Sequence, residues 1–234
     1  MSPAPPLAPA DLAAVPLFAE LDPGQLARLL EQHRHATSAA GQQLVLEDDE
    51  AQGLFLLRQG LVKVRCFGRE GEETVLAVLG PGEVCGEMAA LSPRGRRSAD
   101  VVCLTPCELV VLRAGPFAGL LRSEPRLGLA LARLQACRLR ELNRRFGLRE
   151  ADATTRLLAA LMDLALRVDP AADPTRPIPP LPQRELALLA GLARETASRT
   201  LSRLRQRGTV TDTAAGGLQL RDLEPLRRRG LLDD

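Results

Sequence analysis

A Gly-Glu pair and an Arg-Ser pair lie close together near the middle of this 234-residue chain. Gly86-Glu87 comes first, and Arg97-Ser98 follows ten residues after Glu87. Glycine lets backbone N–H groups approach an anion closely, and a short helix that starts there adds a favourable dipole. Arginine supplies a charge-assisted fork and serine a further donor. These residue types predict an anion site, although an isolated Glu and Arg favour a plain ion pair across a loop.

A second polar set lies near the C-terminus. Two short helices, 183–189 and 194–207, are predicted around a turn that contains Gly191, which is a helix-turn-helix pattern. The residues predicted to face inward are Ala187, Leu188, Leu192, Ala197, Leu201 and Leu204, and those predicted to face outward are Arg194, Glu195, Ser198, Arg199 and Arg203. Arginine can form a bidentate contact with guanine, and glutamate can accept from cytosine. A solvated charged face is the alternative, but the position at the start of the second helix favours DNA reading.

The charge distribution agrees with this placement. The net charge is −5 over residues 1–125, +4 over 126–180 and +3 over 181–234. A polyanion is therefore expected to meet the C-terminal part. Only Lys63 is a lysine among the 31 basic residues, so a single arginine carries little information in this composition.

Several function classes are excluded by composition. No apolar run reaches the roughly 18–20 residues of a membrane helix, and the start lacks the pattern of an export signal. Five cysteines without a CxxC pair indicate reduced thiols, so we expect a cytoplasmic location. His33 and His35 are the only histidines and have no ligand set nearby, so no metal site and no nucleophile–base pair is expected. We therefore expect a protein that is not an enzyme.

The first half of the chain predicts a tail, a helix and a β domain. Residues 1–16 are expected to form a flexible tail. Asp22 before Pro23, with Gln25 three residues after the cap, predicts a helix start, and the helix is expected to end near His35. From residue 41 to residue 112, apolar runs of four to seven residues cut by glycine predict a compact all-β roll.

The second half predicts helices and a wing. Residues 125–167 favour one long helix and a second one after it, and the proline-rich stretch 169–182 predicts a stiff connector. Residues 209–211 and 218–220 predict a hairpin wing. The long helix carries a narrow stripe at three/four spacing, made of Ala132, Gln135, Leu139, Leu142 and Phe146. The stripe suits pairing with an identical helix, with Leu139, Leu142 and Phe146 at the interface, and packing on the chain's own core is the alternative.

The helix-turn-helix residues resemble those of a known family. The run Arg194-Glu195-Thr196-Ala197-Ser198-Arg199, followed by Leu201, Leu204 and Gly208, looks like the recognition helix of the cAMP receptor protein/FNR (Crp/Fnr) family of bacterial transcription regulators. By this resemblance Arg194, Glu195 and Arg199 would read bases. Ala193 departs from the Ser or Thr cap expected before this helix, which costs on the order of 1 kcal/mol of helix stability.

The resemblance covers nearly the whole chain from Leu17 and implies its architecture. The expected fold class is α+β: a cyclic-nucleotide-binding β-roll of jelly-roll type (double-stranded β-helix), a long dimerisation helix and a winged helix-turn-helix. These parts are expected at 17–125, 126–150 and 151–234.

The resemblance also implies an effector site. In nucleotide-binding members a phosphate cassette consists of Gly-Glu, a short helix and Arg-Ser or Arg-Thr, which here would be Gly86, Glu87, Met88, Arg97 and Ser98. Arg97 and Ser98 would hold the cyclic phosphate, and Glu87 would accept from the ribose 2′-OH. Relatives close the adenine end with small hydroxyl side chains of the dimer helix. Here that region offers Cys137, Arg138, Glu141, Leu142 and Asn143, so altered base contacts are expected.

These implications lead to one principal hypothesis and two alternatives. We expect a homodimeric regulator gated by a small effector, with cAMP or another cyclic nucleotide as the candidate, that binds palindromic double-stranded DNA and contacts RNA polymerase. The first alternative is a Crp/Fnr-type regulator with a modified pocket that takes a different effector or needs none. The second is a cyclic-nucleotide-binding regulatory subunit of an enzyme or channel.

Overall fold

The N-terminal residues that the structure describes are packed rather than loose. A computed structural model describes residues 7–92, 95–169, 171 and 173–232. Helix α1 (Pro9–Ala13) buries Leu12 completely, and Leu7 and Val15 join the same apolar cluster. The expectation of a flexible tail is therefore wrong for residues 7–16, because these apolar side chains cover one face of the β domain; residues 1–6 lie outside the described part.

Helix α2 (Pro23–Leu30) begins as its sequence predicts. Asp22 Oδ1 accepts a hydrogen bond from the Gln25 amide at 2.8 Å, and Gln25 Oε1 accepts from the Asp22 amide at 2.9 Å. This reciprocal pair is a capping box. The predicted end near His35 is wrong, because the chain leaves the helix at Leu30 and residues 34–38 pair as a strand with 107–111.

The β domain consists of two four-stranded sheets, as its glycine-punctuated runs predict. The strands are β1 (Arg34–Ser38), β2 (Gln43–Val45), β3 (Gly53–Gln59), β4 (Val62–Phe67), β5 (Glu73–Leu79), β6 (Val84–Cys85), β7 (Asp100–Cys103) and β8 (Cys107–Arg113). Their orders are β1-β8-β3-β6 and β2-β7-β4-β5, with antiparallel pairing throughout. A core that includes Leu57, Val62, Leu79 and Leu109 lies in this domain.

Three helices follow the β domain. They are α3 (Ala114–Ser123), α4 (Pro125–Gly147) and α5 (Ala153–Val168). The 23 residues of α4 span about 35 Å at 1.5 Å per residue. Leu127 and Leu131 anchor its first turns in the apolar cluster of the β domain. A 3₁₀ turn at Leu148–Glu150 separates α4 from α5, and the Asp152 side chain caps the start of α5.

The C-terminal part is a helix-turn-helix with a wing. Helices α6 (Gln183–Ala190) and α7 (Arg194–Gln206) flank Gly191, which has a left-handed conformation (φ 60°) suited to ending a helix. Strands β9 (Val210–Asp212) and β10 (Leu218–Leu220) form the wing, and α8 (Glu224–Arg227) follows. The fold is α+β. Among the described residues, no helix has the length and apolar character needed to cross a membrane.

The β domain and the C-terminal part share an apolar core. Leu61, Val78 and Leu104 of the β domain belong to the same buried cluster as residues of α5, α6 and the wing. Leu157 and Leu161 of α5 lie at the centre of this cluster, completely buried. The helix-turn-helix is thus held against the β4–β5 side of the β domain.

Candidate functional site

Glu87 lies buried at the junction of the β domain and α4. Gly86 ends β6 in a left-handed conformation (φ 82°), and Glu87 begins a single 3₁₀ turn, Glu87–Ala90. The Glu87 carboxylate is only 1% exposed, and its Oε1 accepts from Gln135 Nε2 at 2.7 Å and from Arg138 Nη1 at 2.5 Å. Because this turn is so short, its dipole contributes less than the helix expected from the sequence.

Arg97 is also buried, but it does not pair with Glu87. Its Nη1 donates to the Gly86 carbonyl at 2.8 Å and its Nη2 donates to the Gly53 carbonyl at 2.7 Å. A Cβ at position 86 would overlap the Arg97 guanidinium, so glycine is needed there for close approach as well as for its positive φ. Burial lowers the pKa of Arg97, yet a guanidinium remains charged at any physiological pH.

Met88 and Ser98 complete the cassette at the surface. Ser98 Oγ donates to Met88 Sδ at 3.6 Å, and both side chains are exposed. Together with Glu87 and Arg97 they line one cavity, which Arg138 borders from α4. The structure therefore brings the five predicted cassette residues together around a single space.

The cavity is too small for a nucleotide in this conformation. Its volume is about 50 Å³, against the roughly 300–1,000 Å³ that small-molecule sites usually enclose. The Arg138 guanidinium crosses it, donating to Glu87 Oε1 and to the Val84 carbonyl. A nucleotide can therefore enter only if Arg138 or the 3₁₀ turn moves.

Two buried polar atoms at this cavity lack a hydrogen-bond partner among the described residues. They are Glu87 Oε2 and Arg138 Nε. Leaving a buried carboxylate oxygen without a donor is costly, so such atoms usually point to a ligand or a water molecule. Glu87 Oε2 is thus free to accept from a hydroxyl group, which is the role that the sequence resemblance implies for Glu87.

Glu141, Leu142 and Asn143 lie elsewhere on α4. Glu141 Oε1 accepts from Arg167 Nη2 at 2.5 Å, whereas Leu142 and Asn143 are exposed. Within the described part of this single chain, none of the three lines the cavity with Arg97. Their predicted contact with the base of an effector stays a prediction.

Arginines that the sequence pattern did not single out join α4, α5 and the β domain. Arg145 Nη2 lies 3.0 Å from Asp163 Oδ2, and Arg144 pairs with the other Asp163 oxygen. Arg167 of α5 donates to Glu83 of the β domain at 2.8 Å as well as to Glu141 of α4. Burial alone would lower the pKa of Arg167, but these carboxylates outweigh it and raise that pKa. Such pairs are difficult to predict from sequence, since the partners are 18 to 84 positions apart.

The predicted DNA-reading residues share one accessible face of α7. Arg194, Glu195, Arg199 and Arg203 are exposed and Ser198 is half-buried, whereas Ala197, Leu201 and Leu204 are buried. Within the described part of the chain, the charged groups of Arg194, Glu195, Arg199 and Arg203 form no ion pair. Four charged side chains are therefore held on a rigid helix with their donors and acceptors open to a partner.

The start and the end of α7 are held differently. Ala193 precedes the helix with extended backbone and supplies no side-chain cap, as its residue type dictates. At the other end Arg205 Nη2 lies 2.6 Å from Asp212 Oδ1 of the wing, a contact that was not expected from the sequence. Arg156 of α5 binds the last carbonyls of α6 at Ala190 and Gly191. The helix-turn-helix is thereby fixed to both its supporting helix and its wing.

The predicted pairing residues form an exposed apolar stripe on α4. Leu139 is 59%, Leu142 36% and Phe146 66% exposed. A stripe of this kind on a helix usually marks a protein interface. The residues are thus placed where a second α4 could cover them, and the alternative of packing on the chain's own core is not what the structure shows.

Comparison with known proteins matches both halves of the chain. Residues 36–124 match the cyclic nucleotide-binding domain family, and residues 155–229 match the Crp-like helix-turn-helix domain family. The Cyclic AMP receptor protein of Thermus thermophilus is 35% identical over 196 residues, which cover 83% of this chain and 88% of that protein.

Two further relatives extend the comparison. The CRP-like cAMP-activated global transcriptional regulator of Mycobacterium tuberculosis is 27% identical, covering 93% of this chain and 97% of its own. The solved structure of the c-di-GMP responsive global regulator CLP of Xanthomonas campestris superposes with a TM-score of 0.67 at 25% identity, covering 86% of this chain and 100% of that one.

The fold, the site and these matches define a class of protein. The chain is a DNA-binding transcription regulator with a cyclic-nucleotide-binding domain and no enzymatic activity. It belongs to the Crp/Fnr family. The hypothesis of a regulatory subunit of an enzyme or channel is wrong, because the C-terminal part is a Crp-like helix-turn-helix domain.

Proposed function

We propose that this protein is a homodimer that binds palindromic DNA sequence-specifically, with its DNA affinity set by cAMP bound between the sensor and α4. The unsatisfied Glu87 Oε2 at the cassette cavity carries this proposal. In the bound state Glu87 accepts from the ribose 2′-OH, while Arg97 and Ser98 donate to the cyclic phosphate. The relatives from Thermus and Mycobacterium, a cyclic AMP receptor and a cAMP-activated regulator, support cAMP as the first candidate.

The present hydrogen-bond partners of Arg97 leave its guanidinium able to bind a phosphate. Its present partners are two neutral carbonyls, Gly86 and Gly53, and not a carboxylate. Charge-assisted contacts to an anion are roughly twice as strong as neutral ones. A phosphate entering the cavity would therefore compete well for this guanidinium.

Gating requires that the ligand prefer one of two conformations. The first conformation is the one described above, in which the cavity is too small for a nucleotide because Arg138 occupies the space beside Glu87. A nucleotide that takes Glu87 must displace Arg138, and Arg138 lies on the helix that leads to the DNA-binding part. Effector binding thus favours a second placement of α4 and α7.

The dimer and its partners complete the proposal. Pairing through Leu139, Leu142 and Phe146 brings two α7 helices together with two-fold symmetry, so the operator is palindromic with half-sites one helical turn apart, about 34 Å. We take 17–125, 126–150 and 151–234 as the sensor, the dimerisation helix and the reader. A regulator of this kind acts in the cytoplasm and contacts RNA polymerase.

The effector site is tested by calorimetric titration of cAMP into three proteins. The wild type should show saturable heat, and Arg97→Ala should show none. Arg96→Ala is the matched control, because Arg96 is the exposed neighbour, its side chain donates to the Asp48 carbonyl, and it is not among the residues that line the cavity. Ser98→Ala removes one exposed hydroxyl and should weaken binding about tenfold without harming the fold.

Titrations with other cyclic nucleotides distinguish the remaining hypotheses about the effector. Heat with cyclic GMP or cyclic di-GMP but not with cAMP would keep the site and replace the effector, and the c-di-GMP responsive relative from Xanthomonas is the reason to include cyclic di-GMP. Operator binding without any added nucleotide, unchanged by Arg97→Ala, would favour the effector-independent alternative. Wild-type affinity for cAMP in both Arg97→Ala and Ser98→Ala would overturn the proposed site.

A further inference from the structure

The only lysine of the chain is buried between the sensor and the helix-turn-helix. Lys63 lies on β4 and is 2% exposed. Its Nζ donates to Glu185 Oε2 of α6 at 2.6 Å, and lies 2.6 Å from Glu73 Oε1 of β5 in an ion pair without hydrogen-bond geometry. One ammonium group therefore joins a sensor carboxylate to a carboxylate of the DNA-binding part.

The contact is largely buried, although it borders a cavity, and Arg184 Nη2 lies 3.4 Å from Glu185 Oε1. Glu185 is itself buried, and its neighbours Leu186 and Leu189 pack into the core shared with the sensor. Arg65 shares the Glu73 carboxylate, with Nη1 3.3 Å from Oε2. Burial raises the pKa of Glu73, but the charges of Lys63 and Arg65 outweigh it and lower that pKa.

Lysine and arginine are not interchangeable at such a position. An ammonium group is a compact point charge that fits between two single oxygens, whereas a guanidinium is a wide planar fork. Everywhere else this chain uses arginine. The single lysine is thus found where a carboxylate of β5 and a carboxylate of α6 converge on a buried cation.

A buried ion pair contributes little net stability, but breaking one side of it is costly. Withdrawal of Glu185 would leave Lys63 with Glu73 alone at the surface of the sensor. The contact therefore discriminates between conformations: it is satisfied only when α6 is seated on β4 and β5. In the same conformation Arg138 is bound to Glu87 and the cassette cavity is too small for a nucleotide.

We propose that Lys63, held by Glu73 and Glu185, is a latch that keeps the DNA-binding part seated on the sensor in the effector-free state. The proposal rests on the proposed function, because it assigns how the effector-free state is maintained. Release of the latch frees α6 and α7 to take their position on DNA. Loss of the Glu185 charge should then raise DNA affinity in the absence of effector.

The seated arrangement can be measured directly, because Lys63 is the only side-chain amine. The full-length protein is treated with the N-hydroxysuccinimide ester of acetic acid, and acetylation of Lys63 is followed by mass spectrometry against the α-amine of the same chain. Lys63 should react slowly in the wild type and at least about fivefold faster in Glu185→Gln. Glu224→Gln is the matched control, because Glu224 pairs with Arg228 on the surface of the same part.

DNA affinity without added nucleotide gives the second readout. The three proteins are titrated against a DNA site selected with the wild type, and Glu185→Gln should bind at least about fivefold more tightly than the other two. Circular dichroism verifies the fold of each variant, and the amide keeps the size of the glutamate side chain.

The outcomes are distinguishable. Fast acetylation of Lys63 in the wild type, or equal rates in all three proteins, would overturn the latch itself. Faster acetylation in Glu185→Gln with unchanged or weaker DNA binding would show that the contact holds the parts together without opposing DNA binding, which overturns its regulatory role. Failure of all three to bind any DNA would overturn the proposed function, and the acetylation rates would still decide whether the parts are seated.

Discussion

Arg138 of the long helix and Glu87 of the sensor form a buried ion pair, with Nη1 2.5 Å from Oε1. Glu87 is 1% exposed, so removing Arg138 leaves a buried carboxylate without its charged partner, and Gln135 Nε2 still donates to its Oε1. We predict that Arg138→Met lowers the free energy of unfolding by about 3 kcal/mol. Urea unfolding followed by circular dichroism measures this, since the chain has no tryptophan or tyrosine.

The double variant isolates the pair. Glu87→Gln with Arg138→Met removes both charges, so most of the loss should be recovered. If the two single losses simply add in the double variant, the two side chains are not coupled.

The exposed face of α7 predicts a sequence-dependent DNA defect. Arg194→Ala should cost about 1–3 kcal/mol on the selected DNA site and relax selectivity at one base pair. Arg122→Ala is the control, because that side chain is exposed on α3 and lies outside the reading face. Fluorescence anisotropy on a set of single-base variants of the site measures both effects. An equal loss on every sequence would make Arg194 a phosphate contact.

The cap of α5 predicts a pH-dependent stability. Asp152 accepts from the Thr155 hydroxyl at 2.6 Å and from the Thr154 and Thr155 amides, and these bonds hold the pKa of Asp152 below its usual range. A carboxyl with a lowered folded pKa stabilises the fold above its unfolded pKa of about 3.9. That contribution is lost as the pH falls through the lowered folded value.

The test compares Asp152→Ala with the wild type across pH. At pH 7 the variant should lose about 1 kcal/mol, and the difference should shrink below about pH 4. Glu150→Ala serves as the control, because Glu150 is exposed and caps no helix. A difference that stays constant down to pH 2 would exclude the carboxylate as its source.

The exposed stripe of α4 predicts the oligomeric state. Leu139→Glu places a charge in the predicted interface and should convert the dimer to monomer in sedimentation velocity. Leu46→Glu makes the same chemical change at a leucine that is also half-exposed but lies near β2. If Leu139→Glu stays dimeric, or the wild type is monomeric at micromolar concentration, the interface is misplaced.

Gly80 predicts a steric limit between the sensor and α5. A Cβ at Gly80 would overlap the Arg167 backbone carbonyl, whereas a Cβ at Gly115 meets nothing nearby. Gly80 has no positive φ, so the expected loss of about 1–3 kcal/mol in Gly80→Ala comes from overpacking alone. Gly115→Ala should be neutral or stabilising. Urea unfolding measures the free energy of unfolding of both variants. Equal values would mean that Gly80 and the Arg167 backbone are not in close contact.

The sequence predicts local structure well where one residue type dictates the conformation. Asp22 and Gln25 predict a capping box that is formed, and Gly191 predicts the turn between α6 and α7. Apolar runs cut by glycine predict the strands of the β domain because short strands and turns are both local features.

Contacts between distant positions could not be predicted in this way. Glu87 and Arg97 are correctly placed at one cavity, but the partner of Glu87 is Arg138, 51 positions away. Lys63 meets Glu185 across 122 positions. Charge pairs at such distances have no periodicity to reveal them, and in an arginine-rich chain each carboxylate has many candidate partners. The burial of residues 7–16 could not be predicted for the same reason, because their apolar side chains pack against the β domain, which lies further along the chain.

The backbone bridge between Ile178 and Leu218 determines which segment of this protein should be kept whole in a chimera. Ile178 donates to the Leu218 carbonyl at 2.7 Å and accepts from the Leu218 amide at 3.1 Å, so the proline-rich stretch is fastened to the wing. It is therefore not a tether that could be exchanged for another sequence. A chimera that joins the sensor of another protein to this DNA-binding part should have its junction near Asp152. The segment from α5 through the proline-rich stretch to the wing is then transferred whole. A junction after the proline-rich stretch would remove α5, whose apolar side chains pack against the DNA-binding part.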